Sequence, residues 1–183
     1  MIKRLRLPTS VLAAIAFSAS LSRAEQPRAV GGETEVKVAV LVKLIQFVTW
    51  PDSALPPGGK PVALCVLAKD QWIPLLQQTV QGESLNNRAI TVARITKARE
   101  ASGCQILVVG GAIERESLEM WENWHVLTIS DDDPFELRTS MVTLAIESGR
   151  TRFKLNRDLA ERAHLRFSAK LLQLAAVVLG GTE

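Results

Sequence analysis

The chain has 183 residues, of which 47% are hydrophobic and 22% charged, with two cysteines, two histidines and no tyrosine. That balance describes one ordinary domain and excludes a fibrous or disordered chain, and no apolar run reaches the 18 or so residues needed to cross a bilayer. The formal charge of +3 misleads, because Lys3, Arg4, Arg6 and Arg23 fall in the first 24 residues, which hold no acid. Without that segment 18 basic and 19 acidic side chains remain, and a nucleic-acid role, which needs a sustained basic surface, loses its support.

Residues 1–24 run from a basic start through the apolar stretch Val11 to Phe17 to the small residues Ser22 and Ala24. This is the composition of a cleavable secretory signal, with Glu25 as the expected mature N-terminus. The apolar core is too short for an anchor, and no Cys follows it to accept lipid. The mature protein is therefore expected in the periplasm and not inserted in a membrane. In an oxidising compartment Cys65 and Cys104, 39 positions apart, are expected to form one disulfide. The alternatives are a metal site completed by His125 and His164, or a redox-sensitive switch. A bridge of that span stabilises a fold by about 3 to 4 kcal/mol if it acts by restricting the unfolded chain.

Residues 25–34 are polar and Gly-rich and read as a flexible lead-in to a single domain over 35–183. A helix is expected from Glu35 to Trp50, polar only along Glu35, Lys43, Gln46 and Thr49, buried on most of its circumference and ended by Pro51. After Pro56-Pro57-Gly58-Gly59, the run Val62 to Leu67 (VALCVL) has the length and composition of a central strand. Asp70 is placed to cap a helix from about Gln71 to Gln81. Further strands are expected at Ile90 to Ile95, Gln105 to Val109 and His125 to Ile129, with a helix over Glu114 to Asn123. Strands alternating with helices predict an α/β fold: a mostly parallel sheet flanked by helices, with the first four strands in the order 2-1-3-4. Met141 to Ile146 and Thr151 to Leu155 flank a turn containing Gly149 and predict an antiparallel hairpin at the C-terminal edge. Asn156 and Ser168 are expected N-caps, the second opening a helix whose apolar stripe Phe167, Leu171, Leu174, Ala175 and Val178 lies on the sheet.

The motifs of nucleophilic, zinc-dependent and phosphate-binding chemistry do not occur: there is no G-x-S-x-G, H-E-x-x-H, phosphate loop or C-x-x-C. Gly110-Gly111 suits a tight strand-to-helix turn. Asp131 to Asp133, after a strand, suits either a turn or a hard cation. Charge is segregated: Gly111 to Glu147 holds nine acidic and two basic residues, Arg150 to Lys170 seven basic and two acidic. A surface so divided steers a charged protein partner. Arg152 and Lys154, with the apolar residues Phe135, Leu165 and Phe167 at loops or element boundaries beside charge, are the candidate partner-binding residues.

Six stretches, in order, resemble the YfiR-like family of periplasmic proteins: VKVAVLVKLIQFVTWP (Val36 to Pro51), LCVL (Leu64 to Leu67), GCQILVV (Gly103 to Val109), VLTISD (Val126 to Asp131), RFKLN (Arg152 to Asn156) and LRFSAKLLQLA (Leu165 to Ala175). The resemblance implies an α/β fold, a disulfide between Cys65 and Cys104, a tendency to dimerise, and a non-enzymatic regulator without a cofactor. It also implies a membrane-bound partner: the periplasmic sensor domain of a diguanylate cyclase, which the regulator represses, lowering cyclic di-GMP and biofilm. An OmpA-like outer-membrane lipoprotein would sequester the regulator in turn. This chain departs from the family in lacking a second Cys pair, in Thr139-Ser140 where Gly-Gly precedes Met141, and in Val42 or Lys43 where the first helix often has Tyr. The alternative functions are a small-ligand-binding or enzymatic domain using the crevice near Gly110, Gly111 and the run Asp131 to Asp133, or an accessory protein of another envelope signalling system.

Overall fold

Residues that alternate between two apolar faces need cover on both, and the central strands of this chain divide that way. In the computed structural model, which describes residues 30–111, 114–131 and 139–181, Val62, Leu64 and Val66 of β2 (Val62–Leu67) enter one core while Cys65 enters another. Ile106 and Val108 of β5 (Ile106–Val109) likewise oppose Leu107 and Val109. Such strands are two-sided, which is why they read as continuous apolar runs.

Around them, among the described residues, the sheet has eight strands. β4 (Arg88–Ile95), β2, β5 and β6 (Leu127–Asp131) lie side by side and parallel, as the order 2-1-3-4 predicts. β7 (Val142–Glu147) adds in parallel to β6, and β8 (Arg150–Asn156) pairs antiparallel with β7. The hairpin turn places Ser148 and Gly149 at φ 52° and 73°, the doubly left-handed geometry that matches the twist of a two-residue hairpin. β3 (Ser84–Leu85) finishes one edge of the sheet. α1 (Val30–Leu44) and α2 (Ile73–Thr79) cover the face with the larger core, and α3 (Arg115–Asn123) and the 3-10 segment Ala98–Gly103 cover the other.

Four expectations are corrected. The first helix begins at Val30, inside the expected lead-in, and ends at Leu44. Residues 45–47 tighten into a 3-10 turn, and β1 (Val48–Thr49) becomes extended. Trp50 precedes a proline, which disfavours the helical conformation there, and β1 gains strand pairing with β9 (Arg166–Phe167) instead. Burial of α1 is one-sided: Lys37, Val38, Leu41, Val42 and Leu44 are buried, whereas Val36 is 50% exposed. Asp70 makes no capping hydrogen bond. It opens a 3-10 turn, Asp70–Trp72, and pairs with Arg94 at 2.6 Å. The last helix is also shorter than expected, because α5 (Ala169–Leu174) stops where β10 (Val177–Leu179) pairs parallel with β8, outside the hairpin. Leu174, 59% exposed, therefore leaves the expected stripe. β-branched Val177 and Val178 favour strand, and an open ladder beside β8 decides the competition.

The two caps form as expected. Asn156 accepts from the Leu159 amide at 2.9 Å at the start of α4 (Arg157–Arg162), and Ser168 accepts from Leu171 at 3.2 Å at the start of α5.

Candidate functional site

Cys65 on β2 and Cys104 before β5 are joined by a disulfide with Cα atoms 5.9 Å apart. It faces the smaller core, beside Ile95, Ala101 and Trp121, and staples the central strand to the segment that enters its neighbour. Glu100 orders that segment. One carboxylate oxygen accepts from the backbone amides of Thr96 at 2.8 Å and Lys97 at 3.3 Å, and these two hydrogen bonds hold its pKa below the ordinary value.

The C-terminal ends of the parallel strands, where ligands of doubly wound sheets bind, hold a network of ions. Asp131 closes β6, and its two carboxylate oxygens are both used: Oδ1 accepts from Lys37 of α1, and Oδ2 from Lys69 after β2 at 2.7 Å. Lys37 is buried. The Lys69 ammonium also lies 5.6 Å over the ring of Trp72. Gly110 completes the close packing, since its amide donates to Leu67 at 2.9 Å and a Cβ there would sit 2.3 Å from the Ala68 carbonyl oxygen. Next to Asp131, the hydroxyls of Ser130, Ser140 and Thr143 bond one another at 2.7 to 3.1 Å and are buried. Asp131 is thus a clamp between α1, the end of β2 and β6. Asp132 and Asp133 lie outside the described residues. Among the described residues no group of three or more His, Cys, Asp or Glu is placed to hold a metal ion.

A second site lies where β1 meets β9. A groove of about 930 Å³ opens there, lined by Trp50, Arg157, Glu161, His164, Arg166 and Phe167 among others. Trp50 is only 4% exposed, and its Nε1–H is buried without a hydrogen-bond partner among the described residues, a loss of about 1 to 3 kcal/mol relative to a satisfied donor. Arg157 donates to Glu161 at 2.6 Å, and Arg166 is exposed.

The residues expected to bind a partner fall in two places. Arg152 and Lys154 stand on one face of β8 with exposed Arg150, and Lys154 pairs with Glu147 at 3.1 Å. Leu165 and Phe167 line the groove. Leu165 is fully buried and packs in the core, whereas Phe167 is half-buried. Phe135 lies outside the described residues. Reading the sequence missed Lys37, Lys69 and the Trp50 donor. The only local signal for any of them is Trp50-Pro51, which marks a chain forced out of helix with an indole at the bend.

α3 and α4 end alike. In each, the residue two past the helix donates its amide to the carbonyl of the next-to-last residue (His125 to Glu122, 3.0 Å; His164 to Glu161, 2.9 Å). The residue after it donates to the carbonyl one residue further back (Val126 to Trp121, 3.0 Å; Leu165 to Ala160, 2.8 Å). This is the Schellman motif, whose left-handed position usually carries glycine. Here it carries histidine twice, at φ 58° and 56°, a conformation costing a side chain about 1 kcal/mol or more. Beside these turns Arg162 of α4 forks onto Glu122 of α3 with two bonds of 3.0 Å, which raises the guanidinium pKa.

Comparison with known proteins places this geometry. A family described as YfiR/HmsC-like matches residues 34–176, well over half of the chain, and the chain belongs to that family. No curated protein matches it. Among solved structures it is similar to the ABC domain in complex with L-Trp from Streptococcus pneumonia, at 9% identity and a TM-score of 0.52, over 78% of this chain and 62% of that one. It is also similar to a conserved domain protein from Vibrio cholerae o1 biovar eltor str. n16961, at 11% identity and a TM-score of 0.47, over 77% and 60% of the two chains. The chain spans about three fifths of the length of each, and the first likeness concerns the fold alone.

Proposed function

We propose that this YfiR/HmsC-like protein is a non-enzymatic periplasmic regulator that binds the periplasmic sensor domain of an inner-membrane diguanylate cyclase and holds it inactive, lowering cyclic di-GMP. Family membership supports a periplasmic regulator in general, and the match over residues 34–176 is the observation that carries the reading. The surface is suited to recognition by charge. Arg150 and Arg152 are exposed on β8, and a concentration of one sign raises the encounter rate with an oppositely charged partner. No helix among the described residues is long and apolar enough to cross a membrane. Export by residues 1–24, pairing with a second copy, and sequestration by an OmpA-like lipoprotein belong to the same proposal.

A clean deletion tests it: cyclic di-GMP and surface adhesion rise several-fold and are restored by the wild-type gene but not by the doubly reversed Arg150→Glu, Arg152→Glu protein. Unchanged cyclic di-GMP in the deletion overturns the reading.

A second reading has its own observation, the Nε1–H of Trp50, buried and without a partner among the described residues, on a side chain that lines the groove. A small molecule presenting an oxygen acceptor would satisfy that donor, and Arg157 and Arg166 favour a carboxylate. Indole fluorescence during titration with small carboxylic acids, repeated with Trp50→Phe, tests it. Saturable quenching that the variant loses supports a ligand site, and no quenching by any of them removes it.

A further inference from the structure

The two histidines, 39 positions apart, occupy the same station of two different helices, and the two Schellman turns bring their rings together. The centroids are 5.3 Å apart and the planes 67° to each other. Backbone strain repeated at two converging side chains points to a role for those side chains, because either position would accept glycine or asparagine at less cost. One tautomer follows from the contacts. The Nδ1 of His125 lies 2.9 Å from the Ala163 carbonyl oxygen, which can only accept, so Nδ1 holds the proton and Nε2 keeps its lone pair. An imidazole oriented by a carbonyl through one nitrogen and open at the other is the form in which histidine binds transition metals. The spacing agrees as well: with metal–nitrogen bonds of about 2.0 to 2.1 Å, two imidazoles at a near-tetrahedral angle hold their centroids about 5 Å apart.

We propose that His125 and His164 form a two-histidine site for a divalent transition-metal ion, with Cu(II) the tightest-bound. Glu122 and Glu161, on the last turns of the same two helices, are engaged elsewhere, by Arg162 at 3.0 Å and Arg157 at 2.6 Å, and among the described residues no group of three or more His, Cys, Asp or Glu is placed to hold a metal. The protein therefore supplies two ligands, water completes the shell, and binding is of modest affinity. His125 is half-buried and His164 exposed at the rim of the groove, so the ion has an entry path. Bound there, it ties the end of α3 to the end of α4 beside the Glu122–Arg162 pair. This inference stands apart from the regulator reading, and either can fail alone.

Untagged mature protein, titrated with Cu(II) in the presence of a weak competing chelator, tests it. Wild type binds one equivalent, with hyperfine splitting from two imidazole nitrogens. His125→Asn and His164→Asn, which keep a residue that tolerates the left-handed turn, each weaken binding at least tenfold. As the chain has only two histidines, substoichiometric Cu(II) must broaden the ring-proton resonances of both in the wild type, which decides the matter even if a variant fails to fold. Absence of a one-equivalent site, broadening of one ring or neither, or wild-type binding by either variant overturns the proposal.

Discussion

Asp131 accepts from two ammonium groups that come from different parts of the chain, 94 and 62 residues away. Removing its charge takes the shared carboxylate from two cations at a site where the Lys37 and Lys69 side chains are only 6% and 18% exposed. Asp131→Asn is therefore expected to cost about 2 to 4 kcal/mol, measured by urea unfolding against wild type, and a loss below about 0.5 kcal/mol would show that the clamp is incidental. Gly110 tests the neighbouring contact. The Ala68 backbone cannot move away from a new Cβ at 2.3 Å without disturbing β2, so Gly110→Ala should destabilise by at least about 2 kcal/mol. At this scale the sequence was only half legible. Asp131 and Gly110 stand out after strands, but nothing local says that a carboxylate will meet Lys37 from an amphipathic helix far upstream. The same holds for the histidines, whose left-handed turns depend on helix ends that periodicity places only to within a few residues.

The elements were more legible where both faces are covered. Runs such as VALCVL and QILVV have strand length and no helical gaps, and their places in β2 and β5 follow. Legibility failed at ends, where long-range pairing competes with local pattern. Residues 45–49 continue a helical apolar pattern yet leave the helix to pair with β9, and residues 175–179 do the same beside β8. The 3-10 segment Ala98–Gly103 is another element that periodicity does not reveal, held by Glu100. Because folding lowers the Glu100 pKa from its ordinary 4.5, its contribution is present above that value and is lost as pH falls through the folded one. Glu100→Gln should accordingly be less stable than wild type at pH 7, with the difference shrinking as pH falls below 4.5; melts from neutral to acid pH check this, and a gap unchanged by acid would contradict it.

For the molecule as a whole, the parallel core strands and the bridge between Cys65 and Cys104 were predictable because the expected export, strand order and the 7 Å reach of a disulfide constrain one another. The bridge spans 39 positions, so reduction should lower stability by about 3 to 4 kcal/mol and the melting temperature by roughly 10 °C. Equal melts with and without reductant would deny it a stapling role. The proposed function was legible only through the succession of family stretches, because no short motif encodes a docking surface. The central claim is regulation by occupancy, and the most direct measurement mixes the purified mature protein with membranes carrying the full-length cyclase while cyclic di-GMP synthesis is followed. The account predicts saturable inhibition accompanied by a complex with the cyclase's periplasmic domain, both weakened by Arg150→Glu, Arg152→Glu. Unchanged synthesis at saturating protein, or inhibition without any complex, would contradict it.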